Sequence, residues 1–412
     1  MALKECWAIQ VGKGRLFLKN TKQEQVWIPL SSKEAVGIYL QSCGLSADET
    51  VDFMFQMHLI RNKAMTAQNL VHRYSVFFNS SGEKRPVDWG YVKKLLAAAA
   101  VSPKYFEYPF PRVMKAIVTD RCSGLCKYCY DEIYRKATDV QELSIEEWSR
   151  ILKQAEEVGI YQMILIGGEP FEKKGIMKVI EEAAAAHIYV EIVSKHLFSQ
   201  EEAQKLAEIP REFLKIILSA DLVPGQEDEL LYTFEGESER ILQSYRELKA
   251  AGIQPAIQTV VTSKNLKSIQ RLVTFYTDLG TKEFRLSRFC VTEGKEDFCV
   301  SDSQWEELKR KLISQKDVAV IWMSEGVEKK TSAQVCVNGS TCMVVLPDGE
   351  VCFCDYFRDI PNNYIGNLKN RTLLDVWNSE IRRERVKQHV RCYAELQLED
   401  PANSKKAAFS GS

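Results

Sequence analysis

The chain has 412 residues, 45% of them hydrophobic and 27% charged, with a formal net charge of −1. Length and composition fit a globular protein of two or three domains and exclude a disordered or fibrous chain. The near-zero charge gives no electrostatic footprint for nucleic acid or an anionic membrane. No apolar run is long enough to span a bilayer, and the N-terminus lacks the apolar segment of a signal peptide, so a cytoplasmic location is expected. Twelve cysteines in an intracellular chain point to metal binding or redox chemistry rather than disulfides. Cys122, Cys126 and Cys129 form one group, and Cys336, Cys342, Cys352, Cys354 and the more distant Cys392 another. Cys6, Cys43, Cys290 and Cys299 are scattered and read as small buried hydrophobes.

In chain order, residues 1–80 form a small unit. Segments 7–11, 15–18 and 25–29 read as short strands, with Gly12 and Gly14 marking the first turn. Ser31 or Ser32 can cap a helix through Ala35, Ile38 and Tyr39. A second helix starts near Ala47 and carries Val51, Met54, Phe55 and His58 on one face. Residues 81–112 read as a connector broken by Gly82, Pro103, Pro109 and Pro111, with a helix over 92–101. From Val113 strands alternate with helices. The strands are expected at 113–118, 161–166, 188–193, 214–219, 256–261 and 284–286. Between the first two, Ser144 and Glu147 make a capping box ahead of an apolar face of Trp148, Ile151, Leu152 and Ala155. Repeated βα units imply a parallel sheet, whose active sites gather at the C-terminal strand ends.

The first strand runs into residues 119–130, T-D-R-C-S-G-L-C-K-Y-C-Y. Three thiolates at this spacing can fold around one face of a metal cluster. A cubane has four irons, so three ligands leave one iron open to bind something else. The alternatives are a zinc knuckle or three unrelated thiols. Zinc favours a second cysteine pair or histidines, and no histidine lies near this loop. C-x3-C-x2-C with Tyr128 before the last cysteine resembles the signature of the radical S-adenosylmethionine (SAM) superfamily, although Ser123 stands where the family often has Asn. The resemblance implies that Cys122, Cys126 and Cys129 hold a [4Fe–4S] cluster whose open iron is chelated by SAM. Reductive cleavage then gives a 5′-deoxyadenosyl radical that takes a hydrogen atom from the substrate.

The strand-end residues gain meaning from that resemblance. Gly167-Gly168-Glu169-Pro170 ends the second strand; in the family this sequence borders SAM and contacts its amino group. Glycines permit close backbone approach, and Glu169 with backbone carbonyls can accept bonds from an ammonium. Tyr128, Ser194, Ser219 and Arg288 are further candidates by position, with Ser194-Lys195-His196 replacing the more usual Ser-Asn-Gly and Ser219-Ala220-Asp221 resembling Ser-x-Asp. For these last positions a capping or surface role is an equal alternative. Residues 289–335 read as a bridge without identifiable chemistry.

Near the C-terminus, Pro347-Asp348-Gly349 between two apolar runs signals a hairpin. Cys336, the Gly349-to-Cys354 spacing and the later Ile365-Gly366-Asn367 and Trp377 resemble the SPASM and twitch auxiliary-cluster domains. One auxiliary [4Fe–4S] cluster ligated by Cys336, Cys342, Cys354 and Cys392 is expected. Cys352 either replaces a ligand or packs, and a zinc ribbon is the alternative for the group. Three strands and helices ahead of such a core resemble the winged-helix-like peptide-recognition element of ribosomal peptide maturases, which binds a leader peptide by β-augmentation. The alternative is a winged helix used for packing or for nucleic acid.

The expected fold is α/β: a partial (β/α)6 TIM barrel at 113–315, an N-terminal winged-helix-like domain and a C-terminal cysteine-rich domain at 316–412. The layout resembles a radical SAM peptide maturase that forms thioether cross-links in a ribosomally made precursor. Such an enzyme needs a flavodoxin- or ferredoxin-type reductant and has no nucleic-acid or membrane partner. Carbon–carbon cross-linking, epimerisation with Cys290 or Cys299 as hydrogen donor, and formylglycine-type maturation are the enzymatic alternatives. A cluster-bearing peptide-binding or electron-transfer protein is the non-enzymatic one.

Overall fold

The computed structural model describes residues 2–3, 7–12, 15–20, 27–30, 32–56, 78–79, 86–97, 111–124, 126–135, 141–160, 162–211, 213–226, 228–232, 236–289, 294–312, 318–323, 338–339, 341–356, 358 and 363–387. Cys6, Cys290, Cys336, Cys392, His58 and the connector at 98–110 lie outside them.

The N-terminal unit contains β1 (Ala2–Leu3), β2 (Trp7–Gly12), β3 (Arg15–Asn20), β4 (Trp27–Leu30) and β5 (Phe78–Asn79). β2, β3 and β4 make an antiparallel sheet in that order, and β1 pairs with β5. Pro29 lies in β4, an edge strand, where its missing N–H interrupts no central ladder. Helices Ser32–Ser42 and Ala47–Gln56 follow. A capping box starts the second: Ser46 N–H donates to Glu49 Oε2 at 2.7 Å and Glu49 N–H donates to Ser46 Oγ at 3.2 Å. Helix Trp89–Ala97 packs onto this unit. Tyr91 meets Tyr39 edge-on with ring centroids 4.8 Å apart, Asp88 N–H donates to the Tyr39 hydroxyl at 2.9 Å, and Val92 and Leu95 join Ala35, Val36 and Leu40 in one buried cluster.

The central sheet begins with β6 (Val113–Ile117), β7 (Gln162–Ile166), β8 (Tyr189–Ser194), β9 (Leu214–Ser219), β10 (Ala256–Val261) and β11 (Glu283–Arg288). Each pairs in parallel with its predecessor. Ile216, Ile217 and Leu218 are all fully buried, as strands covered on both faces require. Helix Ile145–Val158 fills the first crossover. Its Ser144–Glu147 capping box is present, Trp148, Ile151, Leu152 and Ala155 are buried, and Gly159 ends it at φ 88°. These six βα units form the expected partial barrel.

The parallel sheet continues past residue 315. β12 (Ala319–Trp322) pairs with β11, so part of the stretch read as a bridge is a seventh parallel strand. Lower in the barrel four charges are buried together. Arg285 grips Glu191 with both terminal nitrogens, at 2.9 and 3.2 Å, and Glu283 through Nε at 2.7 Å, while Lys215 pairs with Glu283. Two cations and two carboxylates compensate one another, which is what lets charge sit in a core.

The C-terminal hairpin is built into this same sheet. β13 (Cys342–Val345) pairs with β6 in parallel, from Cys342 opposite Val113 to Val345 opposite Ala116. β14 (Glu350–Cys352) pairs antiparallel with β13, and β15 (Tyr364–Asn367) with β14. Gly349 turns the hairpin at φ 86°.

Candidate active site at the cysteine loop

The cysteine loop leaves β6 against the end of β7. Strand-like bonding persists beyond both strands: Gly168 N–H donates to the Thr119 carbonyl and Glu169 N–H to the Arg121 carbonyl, each at 2.7 Å. A Cβ on Gly167 would lie 2.6 Å from the Thr119 oxygen, and one on Gly168 2.2 Å from the Arg121 oxygen. The glycines do serve close approach, but in this structure what approaches is the backbone of the cysteine loop. Glu172 accepts from Ser123 N–H, and Glu142 bonds both the Thr119 hydroxyl and Lys173. The second half of the loop is held by residues 231–232, through a bridge from Cys126 to Tyr232 and Lys127 N–H donating to the Leu231 carbonyl at 2.8 Å.

Cys122, Cys126 and Cys129 are half-buried. Burial pushes the Cys126 thiol up to about 11, opposed by the Lys195 ammonium. Among the described residues no three His, Cys, Asp or Glu side chains converge as ligands of one metal ion. A cubane makes no such demand, because each of its three cysteines binds a different iron. Three thiols without a histidine or carboxylate among them are a soft donor set, and they fit the cluster.

The other candidate residues fall out as follows. Glu169 is buried, and its carboxylate accepts from Ser194 Oγ–H at 2.7 Å, Lys195 N–H at 2.8 Å and Phe171 N–H at 3.3 Å. Burial raises its pKa against those bonds. Pro170 opens a short 3-10 turn that Glu169 caps. Ser194 and Glu169 are thus joined, tying the ends of β7 and β8 together. Tyr128 is buried, and its hydroxyl donates to Asp221. Ser219, half-buried at the end of β9, accepts from Lys195 Nζ at 3.1 Å through its carbonyl. Arg288 bonds the Val300 carbonyl and the Asp302 carboxylate, so its cation is matched in the segment after β11.

Beneath the loop lies a network that joins two residues named from the sequence, Tyr128 and the Ser-x-Asp aspartate Asp221, to Lys195 and Tyr232. Asp221, 1% exposed, accepts from Lys195 Nζ at 2.7 Å, the Tyr232 hydroxyl at 2.9 Å, the Tyr128 hydroxyl and Val260 N–H at 3.0 Å. Burial opposes the charge on Lys195, yet the adjacent Asp221 carboxylate holds its pKa well above the ordinary lysine value. Burial and the same carboxylate keep both phenols protonated. The available signal was the replacement of the usual Asn by Lys195 opposite the Ser-x-Asp aspartate.

Of the auxiliary cysteines, Cys342 and Cys352 are described and buried, in one apolar cluster with Ile117, Val344 and Leu346. Cys354 is half-buried, and Asn363 brackets its backbone with two bonds of 2.9 Å. Burial pushes the Cys342 thiol up to about 12.

Comparison with known proteins identifies two domains in the chain. Residues 116–275 match the Radical SAM superfamily, and residues 336–402 match SPASM, an iron-sulfur cluster-binding domain. The PqqA peptide cyclase of Gluconobacter oxydans is 25% identical over 65% of this chain and 76% of its own length. That of Ruegeria pomeroyi is 24% identical over 65% and 74%. Among solved structures, Streptococcus suis SuiB bound to S-adenosylmethionine superposes with a TM-score of 0.64 at 17% identity, over 97% of each chain. SuiB bound to its precursor peptide SuiA gives 0.63 over the same coverage. The cysteine loop, the glycine pair pressed against it and the annexed hairpin therefore belong to a chain that carries a radical SAM domain followed by an iron–sulfur cluster-binding domain.

Proposed function

We propose that this enzyme modifies a ribosomally synthesised precursor peptide in the cytoplasm, joining a peptide cysteine sulfur to a peptide carbon as a thioether. The observation that carries the reading is the full-length likeness in fold to SuiB, a protein whose structure has been solved with a precursor peptide. The N-terminal sheet supports it, since among the described residues β2 and β4 are edge strands to which an extended leader can add. The relatives named as peptide cyclases favour a second reading, ring closure within the peptide by another bond.

When bound, the cluster and SAM supply hydrogen-atom abstraction from an unactivated carbon. Cys122, Cys126 and Cys129 would hold that group, and the Gly167–Gly168 backbone fixes their loop. Lys195 places a cation beside Cys126, while Asp221 fixes the lysine and keeps Tyr128 and Tyr232 in place. Joining sulfur to carbon removes one hydrogen atom from carbon, and one proton and one electron more from the thiol. Cys342 and Cys354, with Cys336 and Cys392, would hold the group that receives this electron. A flavodoxin- or ferredoxin-type protein is the reductant we assign.

Co-expression with the precursor followed by mass spectrometry tests the reading. A thioether removes two hydrogen atoms per link and makes one cysteine resistant to alkylation. A modified peptide that keeps every alkylatable thiol refutes the thioether and favours the second reading.

A further inference from the structure

Arg358 follows Cys354 by four residues, far from the cysteine loop in sequence. It nevertheless closes the base of that loop. Its two terminal nitrogens bond both oxygens of Asp120, at 2.9 and 3.1 Å, and Nη2 also bonds Asp131 at 2.8 Å. Asp120 lies two residues before Cys122, and Asp131 two residues after Cys129. One guanidinium thus joins the two ends of the loop that carries all three cysteines.

The contact is largely buried and has further partners. Arg358 is 8% exposed and Asp131 3%. The guanidinium lies 4.3 Å over the Tyr134 ring, and Arg358 N–H donates to the Tyr134 hydroxyl at 2.9 Å. The preceding residues also grip the loop and its strand. Asp355 pairs with Lys115 of β6 at 2.6 Å, and Tyr356 stacks on Tyr130 with centroids 4.1 Å apart. A planar fork suits this task because it offers parallel donors in fixed geometry, whereas a lysine ammonium is a point charge.

We propose that Arg358 is a positioning residue through which the C-terminal cluster-binding domain sets the shape of the primary cysteine loop. Closing the loop at its base removes conformational freedom that three separate thiols would otherwise lose on gathering around a cluster. The primary site is then complete only when the segment after Cys354 is seated. This rests on the reading of Cys122, Cys126 and Cys129 as cluster ligands, but the staple itself is a property of the chain and is tested without activity.

The test compares the parent with Arg358→Lys and Asp120→Asn. Hydrogen exchange is read over residues 119–135 in iron-free protein, and iron loss to a chelator in reconstituted protein. Losing charge-assisted bonds worth roughly 1.5–3 kcal/mol predicts exchange faster by roughly tenfold or more within 119–135. Exchange in β8 to β10 stays unchanged, and iron is released faster to a similar degree. Lysine keeps the charge but not the fork, so full rescue by Arg358→Lys overturns the staple and leaves only charge compensation. Parent-like exchange and iron release in Asp120→Asn also overturn it, and that variant keeps the test alive if Arg358→Lys fails to fold. A parent chain that binds no iron, yet shows the predicted exchange differences, refutes the cluster reading instead.

Discussion

Replacing Gly168 by alanine adds one carbon at the tightest contact in the site. That carbon would lie 2.2 Å from the Arg121 carbonyl oxygen and 2.7 Å from that of Asp120, where ordinary contact begins at 3.4 Å. Both obstacles are backbone, so no side chain can rotate aside, and the loop must recede by about an ångström. The recession breaks the bonds from Gly168 N–H to Thr119 and from Glu169 N–H to Arg121, both 2.7 Å. At about 1 kcal/mol for each bond and about 1–3 kcal/mol for overpacking, the local cost is about 3–5 kcal/mol. Gly225→Ala is the control: nothing lies within 4 Å of its added carbon, and its φ of +81° costs only strain, about 1–2 kcal/mol. Iron per chain and 5′-deoxyadenosine release are measured after anaerobic reconstitution. Gly168→Ala should lose most primary-site iron and at least about tenfold in release, while Gly225→Ala keeps both. Parent-like iron and release in Gly168→Ala refute the claim that this contact shapes the loop.

Lys195→Met leaves the buried Asp221 carboxylate without its cation and should cost about 3–5 kcal/mol in urea unfolding, much of it recovered by adding Asp221→Asn. The lysine pKa is raised in the folded state, so its contribution is present through neutral pH and is lost only as pH rises through that higher value; a loss between pH ~6 and ~8 contradicts the pairing. Glu169 also has a raised folded pKa, so its contribution is present below the unfolded carboxylate value and is lost as pH rises through the folded one. Glu169→Gln should flatten the stability curve in that acid window, and an unchanged curve refutes the assignment. Cys352→Ala should keep the iron content of the parent and cost roughly 1 kcal/mol of packing, whereas Cys354→Ala should lose the auxiliary iron; the reverse pattern makes Cys352 the ligand.

Features that depend on neighbouring residues could be read from the sequence. Apolar runs marked β6 to β11, Ser144 and Glu147 announced their capping box, and Asp348-Gly349 announced the hairpin turn. Spacing singled out the three cysteines and, once they were placed, the glycine pair beside them. Contacts made across long stretches of chain were not legible. The pairing of Cys342 with Val113 in adjacent strands joins residues more than two hundred positions apart, and no local pattern encodes it. The charge partners of Asp221 and of Arg358 come from different strand ends and loops, so no local pattern pairs these carboxylates with their cations. The buried side of the helix at Trp89–Ala97 is likewise defined by Tyr39 and Leu40 of another helix.

The most direct test is electron paramagnetic resonance of anaerobically reconstituted, reduced protein, with and without SAM, alongside Cys126→Ala. The account predicts a [4Fe–4S] signal that changes shape when SAM is added, release of 5′-deoxyadenosine, and loss of both in Cys126→Ala. Protein whose cysteine loop holds zinc, or a Cys126→Ala variant that still answers to SAM, contradicts it.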